Sequence, residues 1–202
     1  MNHPNFPVTR HFQRYEYVMD QGYVDDKIVL DIGCGYGACT GMMVYFAKAI
    51  VGIDPCLKDN EDIRLATYSF PGKTPGTIHF YAVPWEKIDR KKSRFDVIVA
   101  MELIEHLHNS EEFLDFAAEV GEYLFLSTPL AKETAPTDNI LHVVEYSSKD
   151  LADMVSKKFD IIKTVYQTGD MRIVDEAEYK GSSIDINHIV QMLWCKRKGE
   201  AR

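Results

Sequence analysis

An acidic residue followed by three alternating glycines marks the segment of the chain best suited to hold a ligand. Asp31 lies near the end of an apolar run, and Gly33, Gly35 and Gly37 follow it. Glycines let the backbone turn sharply and let a ligand lie directly against it, at the positive end of the helix that follows. The pattern therefore predicts a site for a nucleotide-type cofactor.

A second acidic residue follows the next apolar run. Asp54 comes directly after Ala49–Ile53 and precedes Pro55. A carboxylate at the end of a neighbouring strand can accept hydrogen bonds from both hydroxyls of a ribose. Alone, Asp31 would be read as a turn cap and Asp54 as part of an Asp-Pro turn. Their occurrence together around a glycine loop favours cofactor binding.

Two cofactor classes fit the glycine pattern. The spacing Gly33-x-Gly35-x-x-Ala38 satisfies the loose dinucleotide motif, so an NAD-dependent oxidoreductase is one alternative. Asp31 argues against it, because a carboxylate inside the turn would repel a pyrophosphate and attract an ammonium group. With Gly37 included, the spacing Asp-x-Gly-x-Gly-x-Gly resembles motif I of class I S-adenosylmethionine-dependent methyltransferases.

That resemblance extends over about residues 10–196 and implies S-adenosylmethionine as the cofactor. It implies cofactor contacts from four places near strand ends, namely Asp31, Gly33, Cys34, Gly35, Tyr36, Gly37, Asp54, Pro55, Pro84, Trp85, Met101 and Glu102. Pro84 departs from the family, many members of which carry Asp or Asn there. The pair Arg14-Tyr15 resembles one that precedes motif I in several methyltransferase groups, where its helix closes over the cofactor.

The hydrophobic pattern and the resemblance together predict an α/β fold. We expect a Rossmann-like, doubly wound sheet of seven strands, mostly parallel, with the last strand antiparallel beside the fifth. Helices are predicted over residues 10–19 and 38–49. The chain length suits one domain over residues 1–202, with a loose arm over residues 1–9. Residues 130–140 are predicted to form a lid, and residues 169–183 an irregular, substrate-facing insertion.

Candidate chemistry follows the fourth predicted strand, residues 95–100, which runs into Met101. Glu102, Glu105 and His106 come next, and His142 lies further along the chain. Ligands on such sheets bind outside the carboxyl ends of the strands, so these side chains should border the site. An oxygen acceptor needs a base near neutral pH, and a histidine meets that requirement. The main hypothesis is an O-methyltransferase with His106 or His142 as the base and Glu105 beside them.

The acceptor class rests on short motifs. Ile-Glu-His-Leu, Ser-Thr-Pro and His-x-x-Glu-Tyr-Ser resemble the branch of the family that acts on small molecules, quinone precursors and sugars. A small molecule or a glycan is therefore the expected acceptor. A non-catalytic subunit that binds S-adenosylmethionine is a further alternative, although the intact glycine loop argues against a decayed site.

A different substrate class comes from the same four polar residues. Glu102-x-x-Glu105-His106 with His142 resembles the metal site of methyltransferases that act on the 2′-hydroxyl at RNA 3′ ends. The resemblance implies that all four residues would hold a divalent cation such as Mg²⁺, Mn²⁺ or Zn²⁺. The formal net charge of −8, from 31 acidic and 23 basic residues, argues against a nucleic-acid partner. The metal site is therefore the alternative hypothesis.

The composition also indicates the cellular setting. The four cysteines show neither a CxxC pair nor a disulfide pattern, which favours a reducing compartment. No apolar run approaches the roughly 20 residues that a membrane span requires, and the first residues lack an apolar signal core. We expect a cytoplasmic protein without a membrane partner. The oligomeric state has no sequence signal.

Overall fold

Helices and strands alternate along the chain. The computed structural model describes residues 8–57, 74–131, 141–181 and 189–199. Two compact units divide the chain, Met1–Lys87 and Ile88–Arg202. The single domain over residues 1–202 stays a prediction. Residues 1–7 of the expected arm, the lid residues 132–140 and residues 182–188 lie outside the described ranges.

The first unit builds three parallel strands around the glycine loop. Its elements are helix α1 (Val8–Asp20), strand β1 (Ile28–Ile32), helix α2 (Thr40–Met43), strand β2 (Ala49–Ile53) and strand β3 (Thr77–Tyr81). The strand order is β3-β2-β1, with both pairs parallel. All residues of β1 after the first are buried, as expected for a strand covered on both faces. The glycine loop therefore starts from a rigid strand.

The second unit combines parallel and antiparallel strands. Its strands are β4 (Phe95–Met101), β5 (Gly121–Pro129), β6 (Phe159–Gln167), β7 (Ile173–Asp175) and β8 (Val190–Arg197). Its helices are α3 (Ser110–Val120), α4 (Ser148–Val155) and α5 (Glu176–Gly181). The strand order is β4-β5-β8-β6-β7. Strand β4 runs parallel to β5, whereas β8 pairs antiparallel with both β5 and β6.

The predicted architecture is confirmed with one correction to the strand count. The last strand does lie antiparallel beside the fifth, as expected. Eight strands are present in the described ranges instead of seven, because β7 pairs antiparallel with the end of β6. Both β7 and α5 lie in the segment 169–183, which was expected to be irregular. A strand of three residues is too short to show the alternation of apolar and polar residues by which a strand is predicted from sequence.

The helix predicted over residues 38–49 is also corrected, since α2 contains only four residues. Two backbone groups that would continue the helix are bonded elsewhere. The Val44 carbonyl accepts a hydrogen bond from the Gly76 amide at 2.7 Å, and the Lys48 amide donates to Lys27 at 2.9 Å. These bonds divert the chain into β2. The apolar side chains there still enter the core, which explains the helix-like pattern.

Candidate functional site

The glycine loop has the backbone that its sequence requires. Gly33, Gly35 and Gly37 have φ values of 75°, 53° and 77°, in the left-handed region that side chains disfavour. The amides of Gly33 and Cys34 donate to the Ile53 carbonyl at 2.9 and 3.2 Å, which fastens the loop to the end of β2. A Cβ placed on Gly35 would meet nothing within 4 Å. The loop therefore presents open backbone, as a cofactor cradle should.

Comparing substitutions at Gly35 and Gly22 should separate the effect on ligand affinity from the effect of backbone strain on stability. We expect Gly35→Ala to weaken binding of S-adenosylhomocysteine by about tenfold or more, because the methyl group would occupy the open side of the cradle. The left-handed conformation should also cost about 1–2 kcal/mol of stability. Gly22→Ala is the matched control, since Gly22 has a φ of 70° in the turn after α1. Calorimetry should show equal losses of stability but a loss of affinity only at Gly35.

Asp54 ties the cradle together while keeping acceptor capacity. One carboxylate oxygen, Oδ2, accepts from the Gly35 amide at 3.0 Å, and Oδ1 accepts from the Cys56 amide at 2.7 Å. The Asp54 amide donates to the Tyr81 carbonyl at 3.3 Å, which links the ends of β2 and β3. Each carboxylate oxygen has a second lone pair. A half-buried carboxylate in this position fits the ribose hydroxyls of an adenosine cofactor.

Asp31 lies beneath the loop and is completely buried. Its carboxylate accepts from the Tyr15 hydroxyl at 3.1 and 3.2 Å and from the Thr40 hydroxyl at 2.6 Å. Burial raises the pKa of Asp31 to about 7, although the hydrogen bonds from Thr40 and Tyr15 oppose this rise. The two hydroxyl partners were not predicted as site residues. The pairing of Asp31 with a cofactor ammonium group stays a prediction.

The remaining predicted cofactor contacts have unequal exposure. Tyr36 is 58% exposed and Pro55 is exposed, so a ligand can reach both. Trp85 is buried in a 3₁₀ helix, Trp85–Lys87, and Cys34 is a buried residue of the glycine loop. Pro84 is half-buried. Tyr81 was not predicted, yet it is exposed beside the Asp54 backbone. Tyr81 ends the third apolar run of the sequence, and this position was the feature that could have indicated it as a site residue.

At the end of β4, Glu102 has a strained backbone held by one serine. Its φ of 52° is unusual for a residue other than glycine. The Glu102 amide donates to the Ser127 carbonyl at 3.0 Å and to the Ser127 hydroxyl at 3.1 Å. The same hydroxyl donates to Glu102 Oε1 at 3.2 Å. Strain of this kind often marks a functional site, and Ser127 fixes the carboxylate there. Met101, the preceding residue, is buried.

Glu105, His106 and His142 converge in the second unit. Their ligand atoms all lie within 4.8 Å of one another. The two imidazole rings meet edge to face, with their centroids 5.0 Å apart. Glu105 is almost fully buried, and the Thr128 hydroxyl donates to its Oε2 at 2.9 Å. Three of the four residues proposed as metal ligands therefore form one cluster, whereas Glu102 is outside it.

Main-chain hydrogen bonds bring the two histidines together. The amides of Val143 and Val144 donate to the Glu105 carbonyl at 2.8 and 3.2 Å. His106 Nδ1 lies 2.9 Å from the Leu141 carbonyl. A carbonyl only accepts, so Nδ1 carries the proton of this bond. In the neutral ring the lone pair is then at Nε2, where it can take a proton or bind a metal.

The surroundings of His142 favour its neutral form. Burial and the neighbouring His106 lower the pKa of His142, while Glu102 and Glu145 partly offset this effect. A neutral imidazole is the form that a general base or a metal ligand requires. The cluster can therefore accept a proton from an acceptor hydroxyl or hold a cation. A further hydrogen bond, donated by the Tyr146 hydroxyl to the Ser110 hydroxyl at 2.7 Å, anchors the segment that carries His142.

None of the helices in the described ranges is long and apolar enough to cross a bilayer. The cytoplasmic location stays a prediction.

Comparison with known proteins identifies related sequences. The chain is similar to the mitochondrial ubiquinone biosynthesis O-methyltransferase of Rattus norvegicus, with 32% identity over 106 residues. This alignment covers 50% of the chain and 30% of the rat protein. The Rhizobium etli ubiquinone biosynthesis O-methyltransferase is 30% identical over 104 residues, covering 50% of the chain and 40% of that protein. The chain thus spans less than half the length of these relatives.

Solved structures share the fold. The N-methyltransferase NodS from Bradyrhizobium japonicum, in complex with S-adenosyl-L-homocysteine, has a TM-score of 0.68 and 14% identity. The match covers 97% of this chain and 90% of NodS. The small RNA methyltransferase HEN1 has a TM-score of 0.69 and 16% identity, over 100% of this chain and 27% of that one. Both likenesses support the Rossmann-like methyltransferase fold.

The family follows from a match across most of the chain. Residues 16–158 match a family model described as a methyltransferase domain. This range contains the glycine loop, Asp54 and the cluster of Glu105, His106 and His142. The chain therefore belongs to this methyltransferase family, which argues against a dinucleotide-dependent oxidoreductase, and it shares the fold of class I S-adenosylmethionine-dependent methyltransferases.

Proposed function

We propose that this methyltransferase acts on an oxygen of a small molecule or sugar, with His106 or His142 as the general base. The observation that carries the proposal is the histidine pair. Its rings are 5.0 Å apart, and the bond from His106 Nδ1 to Leu141 leaves the Nε2 lone pair available in the neutral ring. The relatives named as O-methyltransferases support an oxygen acceptor.

The protein's own contribution would be alignment and proton removal. S-adenosylmethionine, when bound, supplies a methyl group on a sulfonium that is already prepared for displacement. The glycine cradle and Asp54 would hold the cofactor, while a neutral histidine would take the proton of the acceptor hydroxyl. Removing that proton makes the oxygen a better nucleophile. Glu105, held by Thr128, would brace the turn that carries His106.

A transfer assay tests the proposal. Purified protein is incubated with methyl-labelled S-adenosylmethionine and fractionated cell extract, and the label is followed into small-molecule, glycan and RNA fractions. We expect label in a small-molecule or glycan fraction, at a rate that EDTA does not change. Tight binding of S-adenosylhomocysteine with no label in any fraction would contradict the proposal and favour a non-catalytic subunit.

A second candidate is a metal-dependent methyltransferase that acts on the 2′-hydroxyl at an RNA 3′ end. The observation that favours it is the cluster of one carboxylate and two imidazoles within 4.8 Å. This donor set fits Zn²⁺ or Mn²⁺, and Glu105, His106 and His142 would hold the ion. Such a cation would lower the pKa of a bound hydroxyl. His106 also has the carbonyl partner at its second nitrogen that metal-bound histidines commonly have.

Direct metal titration separates the two candidates. If the second is correct, calorimetry with Mn²⁺ or Zn²⁺ alone should give one site that Glu105→Gln weakens by about tenfold or more. Label in the assay above should then appear in RNA and disappear with EDTA. The exposed Glu111→Gln serves as the control substitution. A titration without a saturable site would rule out the metal candidate.

A further inference from the structure

The buried Asp31 carboxylate joins three elements of the first unit. It lies on β1, and it accepts from Tyr15 on α1 and from Thr40 at the start of α2. Tyr15, Asp31 and Thr40 are 4%, 0% and 0% exposed, so water does not compete for these bonds. A hydrogen bond to a charged group is stronger than one between neutral groups. The arrangement therefore acts as a tie between α1 and the cofactor loop.

Several charged or titratable groups surround the carboxylate. Arg14 and Tyr15 are buried on α1, Cys34 and Cys39 lie in the loop, and Asp54 follows β2. Burial is the strongest influence on the pKa of Asp31 and raises it, and Asp54 raises it further. The Thr40 and Tyr15 hydroxyls act in the opposite direction, and Thr40 has the larger effect. The two hydroxyls thus favour the ionised form against its surroundings.

We propose that Tyr15 and Thr40 are positioning residues that keep Asp31 ionised for the ammonium group of the cofactor, so that cofactor binding tightens the docking of α1. This inference rests on S-adenosylmethionine as the cofactor, but it is independent of the acceptor and of the base. An ammonium beside a buried carboxylate is strongly attracted, because few water dipoles screen the pair. The same attraction strengthens both hydroxyl bonds.

A dependence of cofactor affinity on pH follows. Below its pKa of about 7, Asp31 is protonated in the free protein, and binding an ammonium beside it requires loss of that proton. Affinity should therefore rise with pH and level off above about pH 7, by at most about tenfold per pH unit. Removing a hydroxyl donor raises the pKa of Asp31. The midpoint of the profile should then move to higher pH.

Calorimetric titration of the full chain with S-adenosylhomocysteine from pH 5.5 to 8.5 tests the inference. We expect Tyr15→Phe and Thr40→Val to weaken binding at pH 7 by about tenfold each and to move the midpoint upward. Thr40→Ser keeps the hydroxyl and should restore the wild-type midpoint. Tyr17→Phe, which removes the same atom from the same helix, should leave it unchanged. Protection of α1 from hydrogen exchange should increase with ligand, less so in Tyr15→Phe.

Two results would overturn the inference. One is a wild-type affinity that does not change between pH 5.5 and 8.5. The other is a midpoint in Tyr15→Phe that matches that of Tyr17→Phe. Because no methyl transfer is measured, failure of the proposed acceptor or base would not affect either result. If Thr40→Val does not fold, Tyr15→Phe and Asp31→Asn still test the inference. The affinity of Asp31→Asn for S-adenosylhomocysteine should not change with pH.

Discussion

Replacing the general base, His106 or His142, with alanine should lower kcat by about 10²–10⁴-fold while changing the affinity for S-adenosylhomocysteine by less than about twofold. The reason is that neither ring is among the groups predicted to hold the cofactor, such as Gly35 and Asp54. Loss of turnover without loss of cofactor binding is expected of a group that acts on the acceptor proton. Single-turnover methyl transfer and calorimetry provide the two measurements.

A more conservative substitution sharpens this test. In His106→Asn the side-chain amide can still donate to the Leu141 carbonyl, but the lone pair at Nε2 is gone. We expect this variant to be as inactive as His106→Ala but closer to the wild type in thermal stability. His108→Ala is the matched control, because His108 is exposed two residues further along. Wild-type turnover in both alanine variants would exclude the histidine base.

The stability of the cofactor-free protein should fall as pH rises from 4.5 to 8, and Asp31→Asn should remove most of this dependence. The pKa of Asp31 is about 7 in the folded protein and 3.8 as its ordinary value. Between these values the folded state holds a proton that the unfolded state has lost, so raising the pH favours unfolding. Over this range the free energy of unfolding should decrease by about 3 kcal/mol relative to the variant.

Urea unfolding at several pH values measures this difference. The quantity to follow is the difference in the free energy of unfolding between wild type and Asp31→Asn, and how that difference changes with pH. Other titrating groups contribute equally to both proteins and cancel. Asp153→Asn is the control, because its exposed carboxylate pairs with Lys149 on the surface of α4. Parallel curves for wild type and Asp31→Asn would show that Asp31 ionises at an ordinary pH despite its burial.

Much of the first unit could be predicted because its signals are local. The apolar runs that become β1 and β2 are short and bounded by acidic residues or glycine, and their bounds agree with the structure. The alternating glycines specify left-handed backbone directly. The partners of Asp31 were not predicted, because Tyr15 is 16 residues away and the resemblance placed it only beside Arg14, on a helix that closes over the cofactor. Side-chain partners at that separation depend on how α1 packs.

In the second unit the residue types could be predicted but their supports could not. The sequence singles out Glu105, His106 and His142 by type, and the structure groups them. Thr128 reaches Glu105 because β4 and β5 pair in a register that places Met101 opposite Ser127. Register is a property of two strands together, so neither segment alone reveals it. The 35-residue link from His106 to Leu141 is equally non-local.

The bonds that hold His142 use main-chain atoms, and this frees the neighbouring side chains to vary. Val143 and Val144 are held through their amides, while their side chains are 42% and 37% exposed. Any residue with an amide hydrogen can make those bonds, so proline alone is incompatible. Mutation can therefore reshape the surface beside His142 without moving the histidine. Substitutions at positions 143 and 144 could therefore change which acceptor molecules related proteins recognise, while the position of His142 stays the same.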